Sequence, residues 1–158
     1  MWNSKHSTTL SIVVCWIVVS LVTVFAVAGH WLIQLWFIGY YGWGVEDELV
    51  ARALHLFYIS YYPSALFGYI TLYSLIRLLK NIRRGDIFIP KNVSYLRRIS
   101  WCCFAVAAIS LVIAILYVDI VPFLLVAGAA AFVGLMLRVV KNVMQNAVEL
   151  REENELTI

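Results

Sequence analysis

The sequence predicts an all-α integral membrane protein: a four-helix bundle with both ends in the cytoplasm, a cytoplasmic loop and a helical C-terminal extension. Three observations carry this. Of 158 residues, 63% are hydrophobic and only 13% are charged, roughly half the charge of an ordinary soluble domain. The apolar residues fall into long runs instead of being spread along the chain. The basic residues lie almost entirely on one side of those runs. A soluble fold this small keeps much of its surface in water and could not hide so much apolar area, whereas a lipid solvent accommodates it.

The chain is read as one domain, 1–158, with spans at about 10–38, 49–79, 99–118 and 120–140 and a cytoplasmic tail over 141–158. Each run has the ~20 residues needed to cross ~30 Å of hydrocarbon, and the first two exceed it. Backbone polar groups find no water in lipid, so the runs are helices. Lys5 and the small residues Ala26-Val27-Ala28 give the first run some likeness to a cleavable signal. Its apolar character continues through Trp31, Leu35 and Phe37, however, which favours a retained anchor.

Direction follows from the basic residues. Eleven of the twelve Lys and Arg lie at the N-terminus, at the end of the second run and in the loop after it, or at the end of the fourth run and in the tail; only Arg52 lies on the other side. The positive-inside rule makes the basic side cytoplasmic. Glu46, Asp47, Glu48 and Asp119 fall outside. The connection around Asp119 and Pro122 is short, so spans three and four form a tight hairpin, with Pro122 in the first helical turn. Ala127, Ala131 and Gly134 recur at helical spacing, a small-residue face that lets a neighbouring helix come close.

Polar residues inside a span are costly and are therefore candidates for function. Span one carries Thr23, His30 and Gln34, the last two one turn apart. On span two, His55, Tyr58, Tyr62, Tyr69 and Tyr73 fall on one stripe. With Asp119 at the same level, His30, Gln34, His55, Tyr58 and Tyr62 form the expected ligand-binding set. A plainer reading is that the tyrosines pack on a neighbouring helix and satisfy a few hydrogen bonds. Histidine with carboxylate suits a metal or a proton sensor, but the spacing matches no metal motif, and no metal or other cofactor is expected. Cys102-Cys103 reads as small apolar filler. Pro63 should kink span two, and Ser60 or Ser64 is expected to take up the freed carbonyl.

In the inner loop, Gly85 suits a helix C-terminus and Pro90 the start of the next helix. Arg83, Arg84, Phe88, Asn92 and Arg97 here, with Glu152, Glu153 and Ile158 in the tail, form the expected partner-binding set. The loop arginines also suit anionic membrane lipid. Within the tail, Val140, Val143, Met144, Ala147 and Leu150 mark an apolar helix face. A net charge of +3 is too small to argue for direct nucleic-acid contact. A homo-oligomer is compatible with the composition.

The segments Gly85-Asp86-Ile87-Phe88-Ile89-Pro90-Lys91-Asn92 and Leu96-Arg97-Arg98-Ile99, with the closing Glu152 to Ile158, resemble a bacterial membrane family catalogued as domain of unknown function 2975. The resemblance implies four spans in the bacterial cytoplasmic membrane and supplies no catalytic residues. It also implies a sensor or sequestering role toward a cytoplasmic helix-turn-helix regulator. No nucleophile–base pair or metal set is visible on facing helices, so the chain is expected not to be an enzyme. The leading expectation is a non-enzymatic signalling or regulatory membrane protein that senses a ligand or envelope state and engages a cytoplasmic partner. The alternative is a small transporter or immunity-type protein handling a lipid or amphipathic peptide.

Overall fold

The computed structural model describes residues 4–41, 47–116 and 120–155. The chain is all-α: α1 (Ser4–Tyr41), α2 (Asp47–Arg84), α3 (Pro90–Leu116) and α4 (Ile120–Glu155). Three stretches, Ser7–Leu32, Pro90–Leu116 and Val121–Asn154, are long and apolar enough to cross a membrane, which points to a multi-pass membrane protein. α2 equals α1 in length, at 38 residues, but its tyrosines, serines and charged residues make it less apolar. The helix is continuous through Pro63.

The helices pack in chain order. α1 lies on α2, α2 on α3 and α3 on α4, and among the described residues no non-consecutive pair touches. The four helices therefore form an open series among the described residues, an order that the expectation of a four-helix bundle did not specify. A closed bundle needs α1 to meet α4. Here Cys15 and Gly29 are the only buried residues of α1 among those described.

The core lies around α3, the most enclosed helix, with Val93, Leu96, Ile99, Cys102, Ile113 and Ala114 all buried. Against α4 the packing relies on small residues. Ala127 is buried, and a Cβ on Gly134 would lie 3.3 Å from both Cys103 and the Phe104 ring. The Ser100 hydroxyl donates to the Gly134 carbonyl at 2.8 Å. Lipid tails are as apolar as leucine, so close backbone approach and a buried hydrogen bond drive this pairing more than hydrophobicity does.

The turn between α2 and α3 follows from local chemistry. Gly85 has φ +92°, a conformation that costs other residues roughly 1–2 kcal/mol. Its N–H donates to Ile82 O, and the Asp86 N–H donates to Asn81 O, both at 3.1 Å. Those two bonds form a Schellman motif that satisfies the last carbonyls of α2. Pro90 then opens α3, where its missing N–H leaves nothing unsatisfied.

α4 runs unbroken into the tail. From the level of Ser100 and Gly134, α3 extends back ten residues and α4 forward about twice as far, so α4 projects roughly 15 Å past the start of α3. The tail's inward face differs from the expected one. Val148 is buried and Met144 and Ala147 are half-buried, whereas Val140, Val143 and Leu150 are exposed. The last three continue the outward apolar side that α4 carries through its long apolar stretch.

Candidate functional site

The sequence-predicted ligand set maps onto the α1–α2 seam, which is built from phenols. In lipid a buried phenol O–H needs an acceptor, and four tyrosines of α2 find theirs on α1. Tyr61 donates to Val22 O at 2.8 Å and Tyr62 to Ala26 O at 3.2 Å. Helix carbonyls have a second lone pair and can accept these bonds without breaking the helix. The Tyr69 hydroxyl lies 2.8 Å from Thr23 Oγ1. Thr23 spends its own proton on Val19 O at 2.8 Å, so Tyr69 is the donor. The Tyr58 hydroxyl lies 2.7 Å from His30 Nδ1, and the two rings are within 7° of parallel.

The rings of α2 also order one another. Phe57 and Tyr61 lie face to face with centroids 4.8 Å apart, and Tyr58 and Tyr62 lie 5.6 Å apart. Gly29 is what admits this row to α1, since a Cβ there would come within 2.8 Å of the Phe57 ring. Aromatic pairs of this kind hold phenols at fixed rotamers, which in turn fixes the register between α1 and α2.

The structure thus brings His30, Tyr58 and Tyr62 together, as contacts within the seam. Gln34 is half-buried and His55 exposed, and neither has a hydrogen-bond partner among the described residues. Asp119 lies outside the described residues. Tyr73 leaves the stripe: it accepts a bond from Arg77 Nε at 3.2 Å and carries the guanidinium over its ring. Among the described residues no three His, Cys, Asp or Glu side chains converge. Ser60 does not take the carbonyl freed by Pro63, because its hydroxyl proton goes to Phe57 O one turn back. Ser64 makes no hydrogen bond among the described residues, so the expected compensation is absent from both serines.

Tyr61 was missed from the sequence set, although its spacing of three from Tyr58 and four from Ala65 signals the same face. Its partner, a backbone carbonyl, leaves no mark in a sequence.

The partner set lies at the basic end. Arg83 and Arg84 are exposed on the last turn of α2, where the helix dipole favours cations. Phe88 and Arg97 are exposed, as are Glu152 and Glu153 on the projecting end of α4. Ile158 lies outside the described residues. Asn92 must be removed from this set. It has no accessible surface, and its amide is committed internally. Nδ2 donates to Asp86 O and Ile87 O, both at 2.8 Å, and Oδ1 accepts from Asn81 Nδ2 at 2.8 Å. Both amide protons are used, so Asn92 is a clasp that ties α2, the turn and α3 together.

The family model described as protein of unknown function (DUF2975) matches residues 8–158, all but the first seven residues. The chain belongs to this family. The turn from Gly85 to Asn92, which carried the resemblance in sequence, is the Schellman turn and clasp of a DUF2975 protein. No curated protein and no solved structure matches the chain.

Proposed function

We infer that this DUF2975 chain is a non-enzymatic regulator in the bacterial cytoplasmic membrane. In this reading it crosses the bilayer four times with both ends in the cytoplasm. It senses a ligand or envelope state through α1 and α2, and holds a cytoplasmic helix-turn-helix regulator at its basic end. The observation that carries the reading is that, among the described residues, α1 packs on α2 alone and its hydrogen bonds to α2 are all made by phenols. A ligand that competes for those phenols acts on the contact that holds α1.

Several features support the remaining parts. As a pair, α1 and α2 satisfy the phenols that make α2 less apolar, so α2 suits a fourth span. The basic residues gather at one end, which favours that end as cytoplasmic. Phenols facing backbone carbonyls and one imidazole suit the holding of helices more than a bond-making step. From Tyr58, α2 runs without a break to Arg84, about 39 Å at 1.5 Å per residue. Movement of α2 at the seam is therefore felt at the Gly85 turn.

The test is a pull-down from cells after mild crosslinking. Wild-type protein should enrich a helix-turn-helix regulator. Arg83→Glu/Arg84→Glu should lose it, and Tyr61→Phe/Tyr62→Phe should change its yield. The reading fails if nothing is enriched over the Arg83→Glu/Arg84→Glu control.

A further inference from the structure

A cleft between α3 and α4 is lined by Arg97, Ser100, Trp101, Arg138 and Lys141. Three of its five residues are cations and none is a carboxylate. Among the described residues, none of the three cations has a carboxylate partner; the Arg52–Glu48 salt bridge lies elsewhere, on α2's first turns. Arg138 is held by aromatic rings, with its guanidinium 5.4 Å from the Trp101 centroid and 5.9 Å from that of Phe104. Such contacts place the charge, and no described acceptor takes its N–H donors. The Ser100 proton is spent on Gly134 O, so the cleft's free donors are its cations and the indole N–H of Trp101, which is 61% exposed. Cations converging from two helices, with unused donors and no acid among them, are arranged for an anion.

Depth identifies the anion. Trp101 lies fifteen residues before the end of α3, and Arg138 seventeen residues after Val121. Those distances correspond to about 22 and 26 Å along the helices. A bilayer's hydrocarbon is about 30 Å thick, so a hairpin whose far end sits at one boundary puts this cleft beside the other. Tryptophan is enriched at that level, and long cationic side chains reach from it into the headgroups. The anion most concentrated there is the lipid phosphate, and Arg matches phosphate geometry with paired N–H donors.

We propose that the α3–α4 cleft is a binding site for the phosphate of an anionic phospholipid, held by Arg97, Arg138 and Lys141 against the Trp101 ring. The site is built from α3 and α4, neither of which touches α1 among the described residues, and does not depend on the regulatory reading.

The test is native mass spectrometry of the full chain in detergent, titrated with phosphatidylglycerol or phosphatidylcholine. Wild-type protein should bind its first phosphatidylglycerol at least tenfold more tightly than phosphatidylcholine. Arg97→Gln/Arg138→Gln/Lys141→Gln should lose roughly 100-fold, from about fivefold per basic residue. The charge-matched Arg77→Gln/Lys80→Gln/Lys91→Gln should lose less than threefold. Lys141→Gln alone, with helicity checked by circular dichroism, should lose about fivefold and covers misfolding of the triple variant. Millimolar inorganic phosphate at constant ionic strength should leave the bound lipid in place. Equal losses in the two triple variants, equal binding of the two lipids, or displacement by inorganic phosphate would each overturn the assignment; the last would make the ligand a free anion.

Discussion

Replacing Asn92 by aspartate is the sharpest test of the clasp. The change keeps size and shape but turns the Nδ2 donor into a carboxylate oxygen, placed 2.8 Å from the Asp86 and Ile87 carbonyls. Two hydrogen bonds are lost and two acceptor–acceptor contacts replace them. Each lost bond is worth about 1 kcal/mol net, and leaving buried groups unsatisfied adds roughly 1–3 kcal/mol. Asn92→Asp should therefore cost about 3–5 kcal/mol unless the acid takes up a proton, which would restore one donor. Asn92→Ala loses three bonds without adding repulsion and should cost roughly 3 kcal/mol. For a chain of this length, 1 kcal/mol shifts the melting temperature by about 2–4 °C. Circular dichroism melts in detergent should then fall by about 6–12 °C for the alanine variant and further for aspartate at neutral pH. Limited trypsin digestion reads the same turn locally, because Arg83, Arg84 and Lys91 flank it. Both variants should be cut there faster than wild type. If Asn92→Asp melts within 1 °C of wild type at pH 8 and resists trypsin equally, the clasp holds nothing and the reasoning from its geometry is wrong.

Gly85→Ala places a Cβ at a left-handed φ with open space around it, so the loss should be about 1–2 kcal/mol from the backbone alone; thermal melts check this. Gly134→Leu should separate α3 from α4, because even a Cβ already meets Cys103 and Phe104 at 3.3 Å; cysteine crosslinking between the two helices should fall sharply, while Gly134→Ala keeps most of it. A double-mutant cycle of His30→Ala with Tyr58→Phe should give a coupling of about 0.6 kcal/mol, up to about 1.7, as for other hydrogen bonds between membrane helices; additive single effects would dissolve the pair. If the chain instead handles a lipid or amphipathic peptide, changes at His30, Gln34 and Tyr62 should alter resistance or uptake while leaving the crosslinked cytoplasmic partner unchanged.

The helices and their ends were legible because local chemistry sets them. A glycine that can turn left-handed at 85 and a proline that can start a helix at 90 need no tertiary context. The open order of the helices was not legible. A face turned to lipid and a face turned to another helix are both apolar, so hydropathy counts spans without saying which spans touch. The Asn92 clasp was hidden for a related reason. A polar residue in a polar loop reads as exposed until the Schellman turn folds the Asp86 and Ile87 carbonyls back over it. The tyrosine stripe was visible as a stripe, and so were Thr23 and His30, but the other two acceptors are the backbone carbonyls of Val22 and Ala26. Those positions carry nothing in sequence that distinguishes them from their neighbours.

The two ends of the series are joined by different chemistry, and the difference bears on mechanism. α3 and α4 meet through small residues and a buried serine bond, a contact that gains from every atom pair and tolerates little sliding. α1 and α2 meet through four phenol contacts. At about 0.6 kcal/mol each, these amount to roughly 2–3 kcal/mol. A ligand offering its own acceptors to the phenols would need a preference of about 50-fold for the separated state to offset those four bonds, with the packing of Phe57 on Gly29 to be met in addition. That is within reach of a small amphipathic molecule partitioned into the bilayer. The same preference would not disturb the α3–α4 pair, whose contact rests mainly on close packing and not on donors spent between the helices. Under the proposed regulatory reading, the chain would yield at one edge, where α1 packs on a single neighbour among the described residues, and would keep the α2–α3 turn and its basic end assembled while it did so.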